Sequence, residues 1–312
     1  MRSTILFLLV VFIHTVGYPQ QPDAMNALVS LYPKTIKSPE ELALFIARDF
    51  DTPLAQLKAA YTWLVNNVAY DPEEYYAFKF QYRILEERNQ KAAQSREEII
   101  ERTLQNGKAV CEGYALTLER LCELLHINAY VVRGDTKTRV SDIGRPFDKN
   151  HMWMVALIDK KAVLADPTWG AGRYDGKRFV KDPTYYYFNT PHAQFLQTHM
   201  PEVFSDAYVG QRLSRTQFSN RPLLIQKGLK VEAIMPTTGI LSSKELKDGI
   251  SFSIAAKAPA SLTYSINGQS PQEIAFEHKD GKLVFSISAK TKAGDLIIYT
   301  DKQPLIGYKI KK

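Results

Sequence analysis

Apolar residues change their spacing twice along this 312-residue chain, and the changes separate three stretches that must fold by different rules. Up to about residue 126 the spacing is helical. Ser38-Pro39-Glu40-Glu41 joins a capping residue, a proline suited to a first turn and early acids. Leu42, Phe45, Ile46 and Phe50 follow on one face. Leu57, Ala60, Tyr61, Leu64 and Val68 make a second stripe, which Tyr70-Asp71-Pro72 stops. Residues 85–101 read as a polar, solvent-facing helix. From Cys111 to His126 a further stripe runs through Ala115, Leu118, Cys122 and Leu125. The period then drops to two, and strands are expected over 129–133, 151–158 and 162–166.

Past Arg221-Pro222 the pattern shifts again, to seven short alternating runs over 229–234, 250–254, 261–266, 273–277, 283–288, 296–300 and 306–310. The turn pairs Asn267-Gly268 and Asp280-Gly281 separate some of them. So many short strands in about 90 residues predict an antiparallel β-sandwich. The expected class is α+β, with a mixed domain over 18–220 and a β-sandwich (Ig-like) domain over 221–312.

The first 17 residues bear on location. Met1-Arg2 precedes an apolar run from Ile5 to Val16 that ends beside Gly17. A positive start and a short apolar core read as a signal peptide, and the run is short for a span of ~20 residues. The expectation is an exported, periplasmic or extracellular protein with no stable membrane insertion after cleavage. Lys and Arg number 40 against 33 Asp and Glu, a net charge of +7. The cations are scattered rather than gathered in a patch, so no nucleic-acid partner is expected.

Cys111 and Cys122 are the only two cysteines. Eleven residues along one helix separate them by about 16 Å, too far for a disulfide, whose Cα atoms lie within ~7 Å. An exported chain with two free thiols is expected to bury one and use the other. Cys122, deeper in the stripe, is the packing residue. Cys111 follows the loop-like Asn106-Gly107-Lys108 and opens a helix, where free N–H groups and the helix dipole favour a thiolate. Lys108 is a second positive charge nearby.

A nucleophilic thiol also needs a base and a group that orients the base. His151 begins one expected strand and Asp166 ends the next, with the turn near Asp159-Lys160. Pairing across that hairpin puts the two opposite or one diagonal apart, on one face, at ~5–8 Å between Cβ atoms. Cys111, His151 and Asp166 are therefore the candidate nucleophile, general acid/base and orienter.

Val110-Cys111-Glu112-Gly113-Tyr114-Ala115, Asn150-His151-Met152-Trp153 and Asp166-Pro167-Thr168-Trp169-Gly170 resemble the three catalytic boxes of the transglutaminase-like superfamily. Tyr187-Phe188 and Thr198-His199-Met200-Pro201 are similar to its bacterial kyphoscoliosis-peptidase-like branch, whose members tend to carry a β-sandwich after the catalytic domain. The resemblance implies a papain-like core and the triad Cys111, His151 and Asp166; separately, no cofactor and no metal are expected. It implies a cysteine peptidase, amidase or acyltransferase acting on a protein or peptide, with cell-envelope substrates in view, the alternative being a non-catalytic binding scaffold of the same fold. Animal crosslinking members carry Gln two residues before the Cys and Trp just after it. This chain has Ala109 and Glu112 there, and no calcium-loop pattern, so calcium-dependent crosslinking is not expected. An oxyanion donor beyond the Cys111 N–H is open between Gln105, Trp63 and Tyr70. His192 and His199 lack the spacing of a two-His metal motif.

Overall fold

The computed structural model describes residues 24–76, 85–174 and 177–312. The N-terminal run 1–17 and the aromatic side chains from Tyr75 to Tyr82 lie outside what it describes. Among the described residues no helix is long and apolar enough to cross a membrane.

The N-terminal helices form where their caps predict. α1 spans Ala24–Val29 and α2 Pro39–Asp49, with Ser38 Oγ accepting from the Glu41 N–H and Pro39 in the first turn. α3, Pro53–Asn67, begins the same way, with Thr52 accepting from the Ala55 N–H. Leu57, Trp63 and Leu64 are wholly buried, each contributing about 1.5–3 kcal/mol by removal from water. The long polar α4, Leu85–Asn106, packs beside α5, Cys111–Leu124. Two short strands, β1 (Ala69–Tyr70) and β2 (Lys108–Ala109), pair in parallel and tie the end of α3 to the approach to α5.

α5 packs against β3 (Asn128–Thr136) and β4 (His151–Ile158). With β5 (Lys161–Ala165) and the short strand His199–Pro201 they make one antiparallel sheet, in which β4 lies between β5 and β3 and β3 between β4 and His199–Pro201. Its register pairs Gly134 with His151 on one side and with Pro201 on the other. β4 was expected with these bounds. β5 ends one residue earlier than expected, because Asp166 leaves the ladder to cap α6, Pro167–Ala171.

The C-terminal part holds two further sheets. One has four antiparallel strands, ordered Ile234–Met235, Ile250–Ala255, Lys282–Ile287 and Phe276–Lys279. The other runs through Ile240–Ser242, Gln303–Lys311, Gly294–Thr300, Leu262–Ile266 and Gln272–Glu273, with Leu223–Leu224 also on Gln303–Lys311. It is antiparallel except for the parallel pair Ile240–Ser242 and Gln303–Lys311. Phe252, Leu283 and Phe285 of the first sheet share a buried cluster with Leu262, Leu296 and Tyr308 of the second. The rings of Phe252 and Tyr308 sit 5.4 Å apart.

Two expected strands are corrected. The run 273–277 is two strands, Gln272–Glu273 and Phe276–Lys279, one in each sheet. Ile274 and Ala275 carry the chain between them, which a reading by alternation alone joins into one. The run 229–234 is a single 3-10 turn over Val231–Ala233 followed by Ile234–Met235. Pro236, without an N–H, ends that strand.

Candidate active site

Three local features bring the predicted residues to one place. Cys111 is the first residue of α5, and its cap residue, Val110, offers no side chain to the first-turn N–H groups. Those N–H groups and the helix dipole therefore stay directed at whatever charge forms on or beside the thiol. Cys111 itself is half-buried. His151 opens β4, and Asn150 before it is anchored by accepting from the Thr136 N–H at 3.0 Å and donating to the Thr136 carbonyl at 2.9 Å. Asp166 caps α6, its Oδ1 accepting from the N–H groups of Thr168 (2.9 Å) and Trp169 (3.1 Å).

Across the β4–β5 hairpin Met154 pairs with Ala165. His151 therefore lies diagonal to Asp166 on the same face, since the extension of that register sets Asp166 beside Trp153. His151 Nε2 meets Asp166 Oδ2 at 2.7 Å, both side chains buried. The other imidazole nitrogen, Nδ1, is left for the thiol. Burial alone would depress the His151 pKa, but the charge and hydrogen bond of Asp166, joined by the Cys111 side chain, override it and hold the value up at about 10. Burial would likewise raise Asp166, and here the His151 charge and both histidine hydrogen bonds keep it well below the usual carboxylate range. The arrangement is a buried carboxylate holding an imidazole that retains its proton, beside a thiol at a helix start. Such a set can move a proton to and from a sulfur nucleophile.

The remaining candidates go elsewhere. Gln105 is exposed and its amide donates to the Lys37 carbonyl at 3.1 Å, so none of its hydrogen bonds joins the other three residues. Trp63 is fully buried and its indole N–H donates to the Pro33 carbonyl at 2.9 Å. Lys108 pairs with Asp71 at 3.0 Å. Tyr70 remains beside the site. Its β1 partner across the parallel bridge is Ala109, two residues before Cys111, and burial together with the Cys111 side chain pushes its pKa up to about 12. Cys111 and Cys122 are both free thiols.

One residue was missed in this role. In the sequence His199 belongs to the stretch Thr198–Pro201 that resembles the kyphoscoliosis-peptidase-like branch and is half of an unsupported metal pair with His192, with no place beside the triad. His192 lies apart, bonded to the carbonyls of Ala162 and Tyr208. His199 is wholly buried, and its Nε2 lies 2.9 Å from Asp166 Oδ2. No local spacing in the sequence announces this, because His199 reaches the site only through strand pairing with β3. One ligand atom each of His151, Asp166 and His199 lies within 4.8 Å of the others. The 2.7 and 2.9 Å separations are those of hydrogen bonds. Ligands ~2.1 Å from a tetrahedral zinc would stand about 3.4 Å apart, so these residues as placed do not suit a shared ion.

The comparisons with known proteins concern the same stretch of chain. A family model described as the transglutaminase-like superfamily matches residues 41–167, which includes Cys111, His151 and Asp166. The chain is 24% identical over 256 residues to the kyphoscoliosis peptidase of Mus musculus, covering 79% of this chain and 36% of that protein. It is 23% identical over 250 residues to the kyphoscoliosis peptidase of Homo sapiens, covering 78% and 35%. The chain thus spans about a third of the length of these relatives. A solved structure described as the crystal structure of a TGase shares 19% identity over 55% of this chain and 38% of its own, with a TM-score of 0.28, too low to speak to the fold. Residues 41–167 thus match the transglutaminase-like superfamily, and the chain is similar over most of its length to a part of the two kyphoscoliosis peptidases.

Proposed function

We propose that the chain is an exported cysteine hydrolase of peptide or isopeptide amides, working through Cys111, His151 and Asp166. The observation that carries this reading is the buried His151–Asp166 contact of 2.7 Å, with the remaining imidazole nitrogen left to a thiol at the start of α5. His151 takes the Cys111 proton, and the thiolate attacks the amide carbonyl, forming a C–S bond and an oxyanion. The Cys111 N–H and the α5 N-terminus stabilise that charge. Collapse breaks the C–N bond, and His151 gives its proton to the departing amine, leaving a thioester on Cys111. Water, deprotonated by His151, then attacks the thioester, and the C–S bond breaks to release the acid and regenerate the thiol.

An amine in place of that water makes the same residues an acyltransferase, because the triad does not choose between acceptors. In this reading residues 18–220 form a papain-like catalytic domain and 221–312 a β-sandwich, formed by the two C-terminal sheets around their common core. The name of the mammalian relatives, peptidase, supports the choice of hydrolysis. The test is incubation with glutamine-containing and lysine-crosslinked peptides, with and without a primary amine. Mass spectrometry should find a thioester on Cys111 and none in Cys111→Ala. Release of the free acid supports hydrolysis, incorporation of the amine supports transfer, and the absence of any Cys111 adduct contradicts both.

A further inference from the structure

Asp166 carries one more donor than a carboxylate needs in order to orient an imidazole. Oδ1 is occupied by the N–H groups of Thr168 and Trp169 at 2.9 and 3.1 Å. Those two bonds already set the rotation of the carboxylate. Oδ2 takes His151 Nε2 at 2.7 Å and, on the same oxygen, His199 Nε2 at 2.9 Å. What His199 adds is therefore not orientation of the carboxylate but competition for the oxygen that His151 uses.

The surroundings of His199 define its form. Its Nδ1 lies 2.8 Å from Thr198 Oγ1. The same hydroxyl lies 3.4 Å from the Phe195 carbonyl, a long contact for O–H···O, so its one proton goes to the nearer Nδ1 and leaves the Nε2–H tautomer facing Asp166. The ring is enclosed by Phe195, Trp169 and Trp153, at centroid distances of 4.1, 4.7 and 5.2 Å. The titratable groups around it are Asp166, the His151 ring at 5.7 Å and the Tyr187 ring at 6.0 Å, with Cys111 beyond His151. Burial, with the His151 charge acting in the same direction, lowers the His199 pKa against the pull of Asp166 and of the Phe195 carbonyl. It is thus a neutral donor beside a charged one.

We infer that His199 is a positioning residue of the proposed reaction, a neutral imidazole whose Nε2–H shares Asp166 Oδ2 with His151 and limits how tightly Asp166 holds the His151 proton. This rests on the function proposed above. An acceptor oxygen that divides its charge between two donors binds each less strongly than it would bind one. A His151 proton held less tightly is more readily given to the leaving amine. The sequence keeps the donor in place by simple means. His199 pairs with Thr136 across the ladder, and Gly134 beside it carries no side chain. A Cβ there would collide with the Trp153 ring and the Met200 carbonyl.

The test needs no substrate. The rate of Cys111 alkylation by iodoacetamide is followed from pH 4 to 10.5 in the full chain and in His199→Phe, His199→Gln and Thr198→Val, with the label mapped by mass spectrometry. For a thiolate–imidazolium pair the rate changes in two steps, and the upper one marks loss of the His151 proton. Phe fills the aromatic enclosure without donating, and the upper step should rise by about half a unit or more. Gln restores an N–H and should bring the step to within about 0.2 unit of the parent. Thr198→Val frees the tautomer and should give a smaller rise. It carries the test by itself if circular dichroism shows His199→Phe unfolded. An unmoved step in the Phe variant, or in Thr198→Val where Phe does not fold, overturns the inference. Equal shifts in Phe and Gln also overturn it, since packing alone would then be the cause. A parent protein with no lower step, or one whose labelling ignores His151→Ala, overturns the proposed function instead.

Discussion

Asp166 stands one residue beyond β5, yet its Oδ2 reaches Nε2 of His151 at 2.7 Å because leaving the ladder turns it into the cap of α6. One side chain thereby ends a strand, starts a helix and holds an imidazole. Asn at this position keeps the shape and inverts part of the hydrogen bonding. Whichever way the amide turns, its NH2 meets donors, either the N–H groups of Thr168 and Trp169 or the two histidines. Asp166→Asn should reduce acyl-enzyme formation on Cys111 about 10³-fold, measured by rapid quench and mass spectrometry. A loss under tenfold would remove Asp166 from its assigned role.

The ion pair also makes stability depend on pH. His151, held at about 10 against ~6.5 unfolded, contributes stability that is fully present below ~6.5 and is lost as pH rises through about 10. Asp166, held below its unfolded value of ~3.9, contributes stability present above that pH and lost as pH falls through its lower folded value. Both limbs describe one contact and are not summed. Thermal unfolding of the parent minus that of His151→Phe should be greatest between about pH 4 and 6.5 and shrink steadily toward pH 10. A difference that is flat over pH 5–10 would contradict the pairing.

The two thiols should separate cleanly. Cys122 is wholly buried, and burial, with Glu119 adding, pushes its pKa up to about 12. Native protein at pH 7 should take up one alkyl group per chain, on Cys111, and a second only after denaturation. Native labelling of Cys122 at a comparable rate would show that α5 opens far more readily than its packing implies.

Gly134 is the backbone crossing between the two histidine-bearing strands. It pairs with His151 on one side and Pro201 on the other. A Cβ would strike the Trp153 ring, the Met200 carbonyl and the Pro201 backbone, of which only the ring could move. Gly134→Ala should destabilise the fold by about 1–3 kcal/mol and slow Cys111 acylation by more than its loss of folded protein accounts for. Denaturant unfolding and acylation rates measured together would show it. Unchanged stability would mean that His199–Pro201 is free to shift.

Much of the geometry of the candidate site was legible because it is written in local signals. A thiol after Asn106-Gly107-Lys108 marks a helix start, and the hairpin turn near Asp159-Lys160 sets where His151 and Asp166 meet. The structure places them one diagonal apart, within the expected arrangement. His199 was not legible in its role, because it arrives through a three-residue strand, His199–Pro201, whose partner lies more than sixty residues earlier in the chain. Between the open donors Gln105, Trp63 and Tyr70 the sequence could not choose for a related reason: only the fold shows that Gln105, in the last turn of α4, delivers its amide to the Lys37 carbonyl. In the C-terminal part, alternation located the strands but not the crossing at Ile274-Ala275, since a chain passing between sheets keeps much the same alternation as one continuing along a strand.

The central claim is that Cys111 and His151 act as a reactive pair. It is tested most directly by the pH dependence of Cys111 alkylation in the parent chain and in His151→Ala. The account predicts rapid labelling at about pH 5 to 6, where an ordinary thiol of pKa ~8.5 is almost wholly protonated, and its loss in His151→Ala. A single step near pH 8.5 in both proteins would contradict it, and would leave His151–Asp166 a buried structural contact beside an ordinary thiol.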